Sequence, residues 1–91
     1  MPNCPSPCSG SCAGHCVCVI LGDKYECQDV GNYDELLKKL NNADEIRIWD
    51  DHALVEEMRR KISAGAPLIL EAVPGEARIL LLRKGEAPSA S

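Results

Sequence analysis

Residues 16–29 read CVCVILGDKYECQD, and this stretch predicts a β-hairpin. Two short segments rich in strand-forming residues, 17–21 and 24–29, flank the pair Gly22-Asp23. Glycine followed by aspartate is a common two-residue turn, because glycine accepts the positive φ that the first turn position requires. The two segments should therefore lie side by side as antiparallel strands.

The turn also fixes which residues of the hairpin face each other. Counting outward from the turn pairs Cys18 with Cys27, at a position where Cα atoms lie about 4.5 Å apart. That separation falls within the window of about 4.4–6.8 Å that a disulfide needs. Cys16 falls on the same face by alternation, so we call the face of Cys16, Cys18 and Cys27 the sulfur face. The opposite face of the first strand is apolar and carries Val17, Val19 and Leu21.

The segment before the hairpin has almost nothing to bury. Residues 1–15 are mainly Pro, Ser, Gly and Cys, and no charged side chain occurs before Asp23 although the chain has 24 in all. Such a segment can be ordered only by cross-links, through a metal or through disulfides. Prolines and glycines disfavour a helix here, so we predict a coiled loop. The six candidate ligands are Cys4, Cys8, Cys12, Cys16, Cys18 and Cys27.

Three kinds of cysteine chemistry fit this spacing. Thiolates can hold a structural zinc or an iron–sulfur cluster, and the pairs Cys4/Cys8 and Cys12/Cys16 have spacings suited to zinc. Alternatively, six cysteines can form three disulfides, in which case no cofactor is bound. The third interpretation is that the cysteines are reactive thiols of a redox protein. We expect Cys18 and Cys27 to bond to each other or to share one metal.

In the disulfide case, interleaved loops would best order the remaining coil. We therefore expect Cys4–Cys12 and Cys8–Cys16 bridges to accompany the Cys18–Cys27 pair.

Parts of the cysteine pattern resemble known disulfide modules. Cys16, Cys18 and Cys27 resemble the end of an epidermal-growth-factor-like module, whose last two cysteines pair, and Cys12, Cys16 and Cys18 resemble the core of squash-type knottins. The growth-factor-like pattern requires a Gly-aromatic pair where Leu21 and Gly22 stand, and both patterns require longer early loops. We therefore assign neither family and transfer no function.

Downstream of the hairpin, the periodicity predicts two helices and three strands. Asn32 and Glu35 form a capping-box signal for a helix whose apolar face is Leu36, Leu37 and Leu40. Residues 45–49 alternate as a strand does, and a second helix follows to about Ala64, with Asp50 or Asp51 as its cap. Its core face is Leu54, Val55, Met58 and Ile62. Residues 68–73 and 77–83 are strands around the turn Pro74-Gly75.

These elements define the expected fold class. The order ββ-α-β-α-ββ predicts an α+β domain with a small mixed sheet, in which the strands before and after the second helix run parallel. The cysteine-clamped loop precedes this sheet. We divide the chain into a cysteine-rich loop and hairpin (1–29), a small αβαββ domain (30–84) and a flexible tail (85–91).

Composition restricts the classes of function. The net charge is −4, which argues against nucleic-acid binding. No apolar run approaches the roughly 20 residues of a membrane helix, and no signal peptide is visible, which favours a cytoplasmic protein, or a secreted one if the cysteines are oxidised. No catalytic motif is recognisable. We expect a non-enzymatic accessory protein that binds another protein and carries a cysteine-ligated metal, with a disulfide-stapled binding module as the alternative.

A few polar residues have a structural interpretation beside a functional one. His15 lies among the cysteines, but its strand phase places it on the face opposite the sulfur face. Asp50, Asp51 and His52 can perform acid–base chemistry, although helix capping is the simpler explanation. The run 59–61 is basic but is expected to be solvated, and Trp49 should alternate away from the core strand positions.

Overall fold

The computed structural model describes residues 4–5, 8–10 and 15–85, and it confirms the predicted α+β class and element order. Seven elements follow one another: β1 (Cys16–Leu21), β2 (Lys24–Asp29), α1 (Tyr33–Asn41), β3 (Glu45–Trp49), α2 (Leu54–Ser63), β4 (Leu68–Val73) and β5 (Glu76–Lys84). None of the helices described is long and apolar enough to cross a membrane.

The strands form one five-stranded sheet in the order β2-β1-β3-β5-β4, and every neighbouring pair is antiparallel. β3 and β4 point in the same direction, as predicted, but β5 lies between them. The expected parallel pair is therefore not formed, and the described sheet is antiparallel rather than mixed. The turn at Pro74-Gly75, where Gly75 has a positive φ of +81°, returns β5 alongside β4, and the other side of β5 pairs with β3.

The helices and the sheet enclose the main hydrophobic core. Both predicted helix faces are confirmed: Leu36 and Leu40 of α1 and Leu54, Val55 and Met58 of α2 are buried, with Leu37 and Ile62 packed at the margin. They meet the inner sheet face, which contributes Val17, Ile46, Ile48, Leu68 and Leu82. Burying one such side chain stabilises the fold by about 1.5–3 kcal/mol.

α1 begins with the predicted Asn32 cap, in a variant of the capping box in which Glu35 reaches the N–H of Gly31 rather than that of Asn32. The Asn32 side chain accepts a hydrogen bond from the Glu35 N–H at 2.8 Å, and the Glu35 carboxylate accepts one from the Gly31 N–H at 3.4 Å. Because Glu35 turns back toward the cap, it forms no ion pair with Lys39. The Lys39 ammonium instead donates to the side-chain carbonyl of Gln28 and so joins α1 to β2.

The start of α2 differs from the prediction that Asp50 or Asp51 caps it. The helix begins at Leu54 after Ala53, which makes no side-chain cap. The Leu54 N–H donates to Nδ1 of His52 at 3.0 Å, so the imidazole performs the capping role. Asp51 is free for another partner because the helix starts later than expected, and it pairs with Arg78 at 3.3 Å.

The hairpin and the rest of the chain share one sheet, because β1 pairs with β3. The proposed division at residues 29 and 84 stays a prediction. Most of the predicted tail, residues 86–91, lies outside the described residues.

Candidate functional site: the cysteine cluster

The hairpin register is as predicted. Gly22 has a φ of +61° and Asp23 a negative φ, which is the pattern of a type II′ turn. Cys18 faces Cys27 across β1 and β2. The Asp44 carboxylate accepts a hydrogen bond from the Gly22 N–H at 2.7 Å and anchors the tip of the hairpin.

The bonding of these facing cysteines differs from the prediction. Cys27 is disulfide-bonded to Cys4, with Cα atoms 6.0 Å apart, and Cys18 is bonded to Cys8, with Cα atoms 5.6 Å apart. The expectation that Cys18 and Cys27 bond to each other is therefore wrong, and so are the expected Cys4–Cys12 and Cys8–Cys16 bridges. Each facing cysteine instead bonds to a cysteine of the N-terminal segment.

The path of the N-terminal segment explains this exchange of partners. The Cys4 N–H donates to the carbonyl of Gly10 at 2.9 Å, which brings these two residues together. Gly10 lies against Cys27: a Cβ built on Gly10 would be 3.8 Å from the Cys27 Cβ. This segment therefore rests on the sulfur face, where Cys4 reaches Cys27 and Cys8 reaches Cys18.

The remaining cysteines complete a buried cluster. Cys16 is also disulfide-bonded, and no cysteine among the described residues is free. Cys12 lies outside the described residues. Cys4, Cys8, Cys16 and Cys18 are all less than a tenth exposed, and Cys27 and Ile20 pack against them. This cluster is separate from the helix-side core, as the alternation of β1 predicts.

Three sulfur atoms of the cluster lie close enough to share an ion. The Sγ atoms of Cys4, Cys16 and Cys27 all lie within 4.8 Å of one another. Tetrahedral zinc has Zn–S bonds of about 2.3 Å, which places its sulfur ligands about 3.8 Å apart. The cysteines near the N-terminus are thus placed either for disulfides or for a metal site.

His15 lies where its strand phase predicts, away from the sulfur atoms. Its ring packs edge-to-face on the ring of His52, with centroids 5.8 Å apart, while its carbonyl accepts a hydrogen bond from the Val30 N–H. His15 therefore extends the hairpin and borders the start of α2, and it is not a member of the described cysteine cluster.

His52 is a buried polar residue whose position the sequence did not reveal. It is 7% exposed, and its Nε2 atom has no hydrogen-bond partner among the described residues. Burial lowers the pKa of the imidazole, an interaction with the His15 backbone opposes this, and the smaller effects of the His15 and Asp51 charges lower and raise the pKa respectively. No carboxylate among the described residues hydrogen-bonds to the ring. Asp50, Asp51 and His52 therefore do not form a hydrogen-bonded acid–base site there.

Trp49 and the basic run 59–61 lie on the surface or at its margin. Trp49 is half-buried on the side of β3 opposite Ile46 and Ile48, as predicted. Residues 59–61 are exposed, and the Lys61 ammonium lies 5.4 Å from the centre of the Tyr33 ring. These residues form no additional catalytic cluster in the described part of the chain.

Comparisons with known proteins give no relative of this chain. No protein-family model matches it, and neither the curated proteins nor the solved structures contain a significant match. Functional inference therefore rests on the fold and the cysteine cluster.

Proposed function

We propose that the protein is a small, non-enzymatic module that binds another protein, and that disulfide bonds hold its N-terminal segment on the sheet. The observation that carries the proposal is the geometry of two cysteine pairs, Cys4/Cys27 and Cys8/Cys18. Their Cα separations of 6.0 and 5.6 Å lie within the range of unstrained disulfides. Small domains braced in this way include many extracellular modules that bind other proteins.

The two disulfides restrain the N-terminal segment, which has little other stabilisation. The N-terminal segment has few apolar side chains, so burial alone cannot offset the cost of ordering it, about 1–2 kcal/mol per residue. Cross-linking residues 4 and 8 to two different strands removes this freedom from the unfolded chain instead. An oxidising compartment, or a thermophilic source, follows from this proposal, since glutathione keeps most cytosolic thiols reduced.

Mass spectrometry of the untreated and the reduced full chain tests the proposal. Three disulfides make the untreated chain about 6 Da lighter than the reduced chain, because each bond removes two hydrogens. Peptide mapping should recover Cys4–Cys27 and Cys8–Cys18 links. Six thiols that react with an alkylating agent before reduction, in protein free of metal, would overturn it.

A structural metal is the second candidate function of the same cluster. The observation that favours it is the closeness of the Cys4, Cys16 and Cys27 sulfur atoms, which belong to more than one disulfide. Bound zinc or an iron–sulfur cluster would neutralise these buried thiolates and order the same segment. Elemental analysis of protein purified without chelator would show about one metal site per chain, lost on Cys16→Ser. Metal-free protein with intact disulfides would exclude this candidate.

A further inference from the structure

The two edges of the sheet differ in how well they are protected against pairing with another strand. At one edge, β2 has the sequence KYECQD and carries three charged side chains. At the other edge, β4 has the sequence LILEAV and carries one, Glu71. Among the described residues each edge strand has one neighbour, β1 for β2 and β5 for β4. Natural proteins protect exposed edges with charges, and β4 has little of this protection.

The backbone groups that β4 offers can be assigned. The Gly85 N–H donates to the Pro67 carbonyl at 2.8 Å, which makes these two residues a hydrogen-bonded pair of the β4–β5 ladder. Since such pairs alternate along an antiparallel ladder, Leu68, Leu70 and Ala72 direct their backbone groups to the open edge. The Leu68 N–H already donates to Ala66. The open edge therefore offers three carbonyls and the N–H groups of Leu70 and Ala72.

We propose that β4 pairs with β4 of a second copy of this chain, forming a continuous ten-stranded sheet across a two-fold axis at Leu70. In this register the two Leu70 residues exchange both backbone hydrogen bonds, and each Ala72 N–H donates to Leu68 of the second copy. All the N–H groups available at the edge are used. The symmetric register with its axis at Glu71 would place Glu71 directly opposite Glu71, and like charges at facing positions are destabilising.

The helix above β4 is complementary to its own copy in the same arrangement. α2 packs against β4, and Lys61 contacts Tyr33 of α1, so that side of α2 is occupied. At about 100° per residue, Glu56 and Arg59 lie on the flank away from Lys61. Neither is in an ion pair among the described residues. The two-fold axis runs α2 antiparallel to its copy and brings each Glu56 toward Arg59 of the second copy.

Analytical ultracentrifugation of the oxidised full chain is the first test. At about 100 µM, where even a micromolar dimer is almost fully formed, we expect twice the 9.9 kDa chain mass. Amide exchange should then slow at Leu70 and Ala72 as the protein concentration rises, while the amides of Tyr25 and Cys27 on the β2 edge stay unchanged. A monomer at this concentration, or an exchange rate at Leu70 that does not depend on concentration, overturns the proposal.

A matched pair of variants distinguishes the two edges. Ala72→Lys places a charge on the exposed β4 edge, and Tyr25→Lys does the same on β2 at a residue that is 54% exposed. Both side chains face water, so both variants should keep the wild-type circular dichroism spectrum. We expect Ala72→Lys to weaken dimerisation by at least about tenfold and Tyr25→Lys to leave it unchanged. The reverse pattern assigns the interface to β2 and overturns the proposal.

A charge reversal tests the contact between the helices. Glu56→Arg places two arginines together at each end of the α2 pair and should weaken the dimer several-fold. The double variant Glu56→Arg with Arg59→Glu restores opposite charges across the axis and should restore dimerisation. A double variant as weak as the single one removes α2 from the interface, and with it the proposed two-fold axis.

Discussion

The side of the sheet that carries the helices and the sulfur face of the hairpin exclude water by different means. On the helix side, eleven buried residues from six elements and the β2–α1 loop form one contiguous core. On the sulfur face, four buried cysteines pack with Ile20 and Cys27, and disulfides supply the connections. The first region is stabilised by the amount of apolar surface that it buries, and the second, in the proposed disulfide-bonded form, by covalent restriction of the unfolded chain. β1 belongs to both, since Val17 and Cys18 lie on its opposite faces.

The largest expected loss of stability comes from a substitution in the helix-side core. Met58 is fully buried in α2, and Met58→Ala removes most of its side chain, so the free energy of unfolding should fall by about 2–5 kcal/mol. Arg60→Ala on the exposed face of the same helix is the control and should cost less than about 0.5 kcal/mol. Urea denaturation of the oxidised chains measures both. Similar losses for the two variants would contradict the helix orientation.

The second prediction concerns removal of the cysteine pairs on the sulfur face. Replacing Cys4 and Cys27 together by serine opens the connection between residues 23 apart and should cost about 3.5 kcal/mol. Replacing Cys8 and Cys18, which are 10 apart, should cost about 2.8 kcal/mol because the loop is shorter. Urea denaturation gives both values. The ranking would be contradicted if the Cys8/Cys18 variant were the less stable of the two.

Amide exchange on the Cys4/Cys27 variant sharpens the comparison between the two regions. We expect faster exchange at Cys4 and residues 8–10, which depend on the disulfides, and unchanged protection in α2, whose contacts lie in the helix-side core. If exchange quickens equally in both regions, the sulfur face and the core unfold as one cooperative unit.

The sequence predicted the helix side far better than the sulfur face, and the reason is physical. Side-chain periodicity is a local property, so the buried positions of α2 and the facing of Cys18 and Cys27 follow from spacing and one turn. The partner of each cysteine depends on the path of a loop without periodicity, which only the folded chain defines. The place of β5 inside the sheet is equally non-local. The cap of α2 was missed because His52 is not a typical N-cap residue, whereas Asp50 and Asp51 are.

The third prediction concerns the turn that keeps the sulfur face in register. Gly22 has a φ of +61°, and a Cβ there would meet no atom within 4 Å, so only the backbone conformation demands glycine. Gly22→Ala should therefore cost about 1–2 kcal/mol through strain. Asp23→Ala, at the neighbouring position with negative φ, is the control and should cost less than about 0.5 kcal/mol. Thermal unfolding of both variants measures the difference. Equal melting temperatures would show that the turn does not require a positive φ.

The smallest effect is a pH dependence that arises where the helix side meets the start of β1. Burial lowers the pKa of His52 in the folded chain, so the unfolded chain binds a proton more readily than the folded chain does. The stability that this residue contributes is complete above the unfolded pKa of about 6.5 and is lost as the pH falls below it. His52→Asn can still accept the Leu54 N–H but does not titrate, so its melting temperature should fall less between pH 7.5 and 5, values chosen on either side of about 6.5. His15→Asn removes the exposed neighbouring ring, and its melting temperature should fall between these two pH values nearly as much as that of the wild type. If the melting temperature of His52→Asn falls as much as that of the wild type, other groups cause the acid sensitivity, and the buried imidazole acts only as the cap of α2.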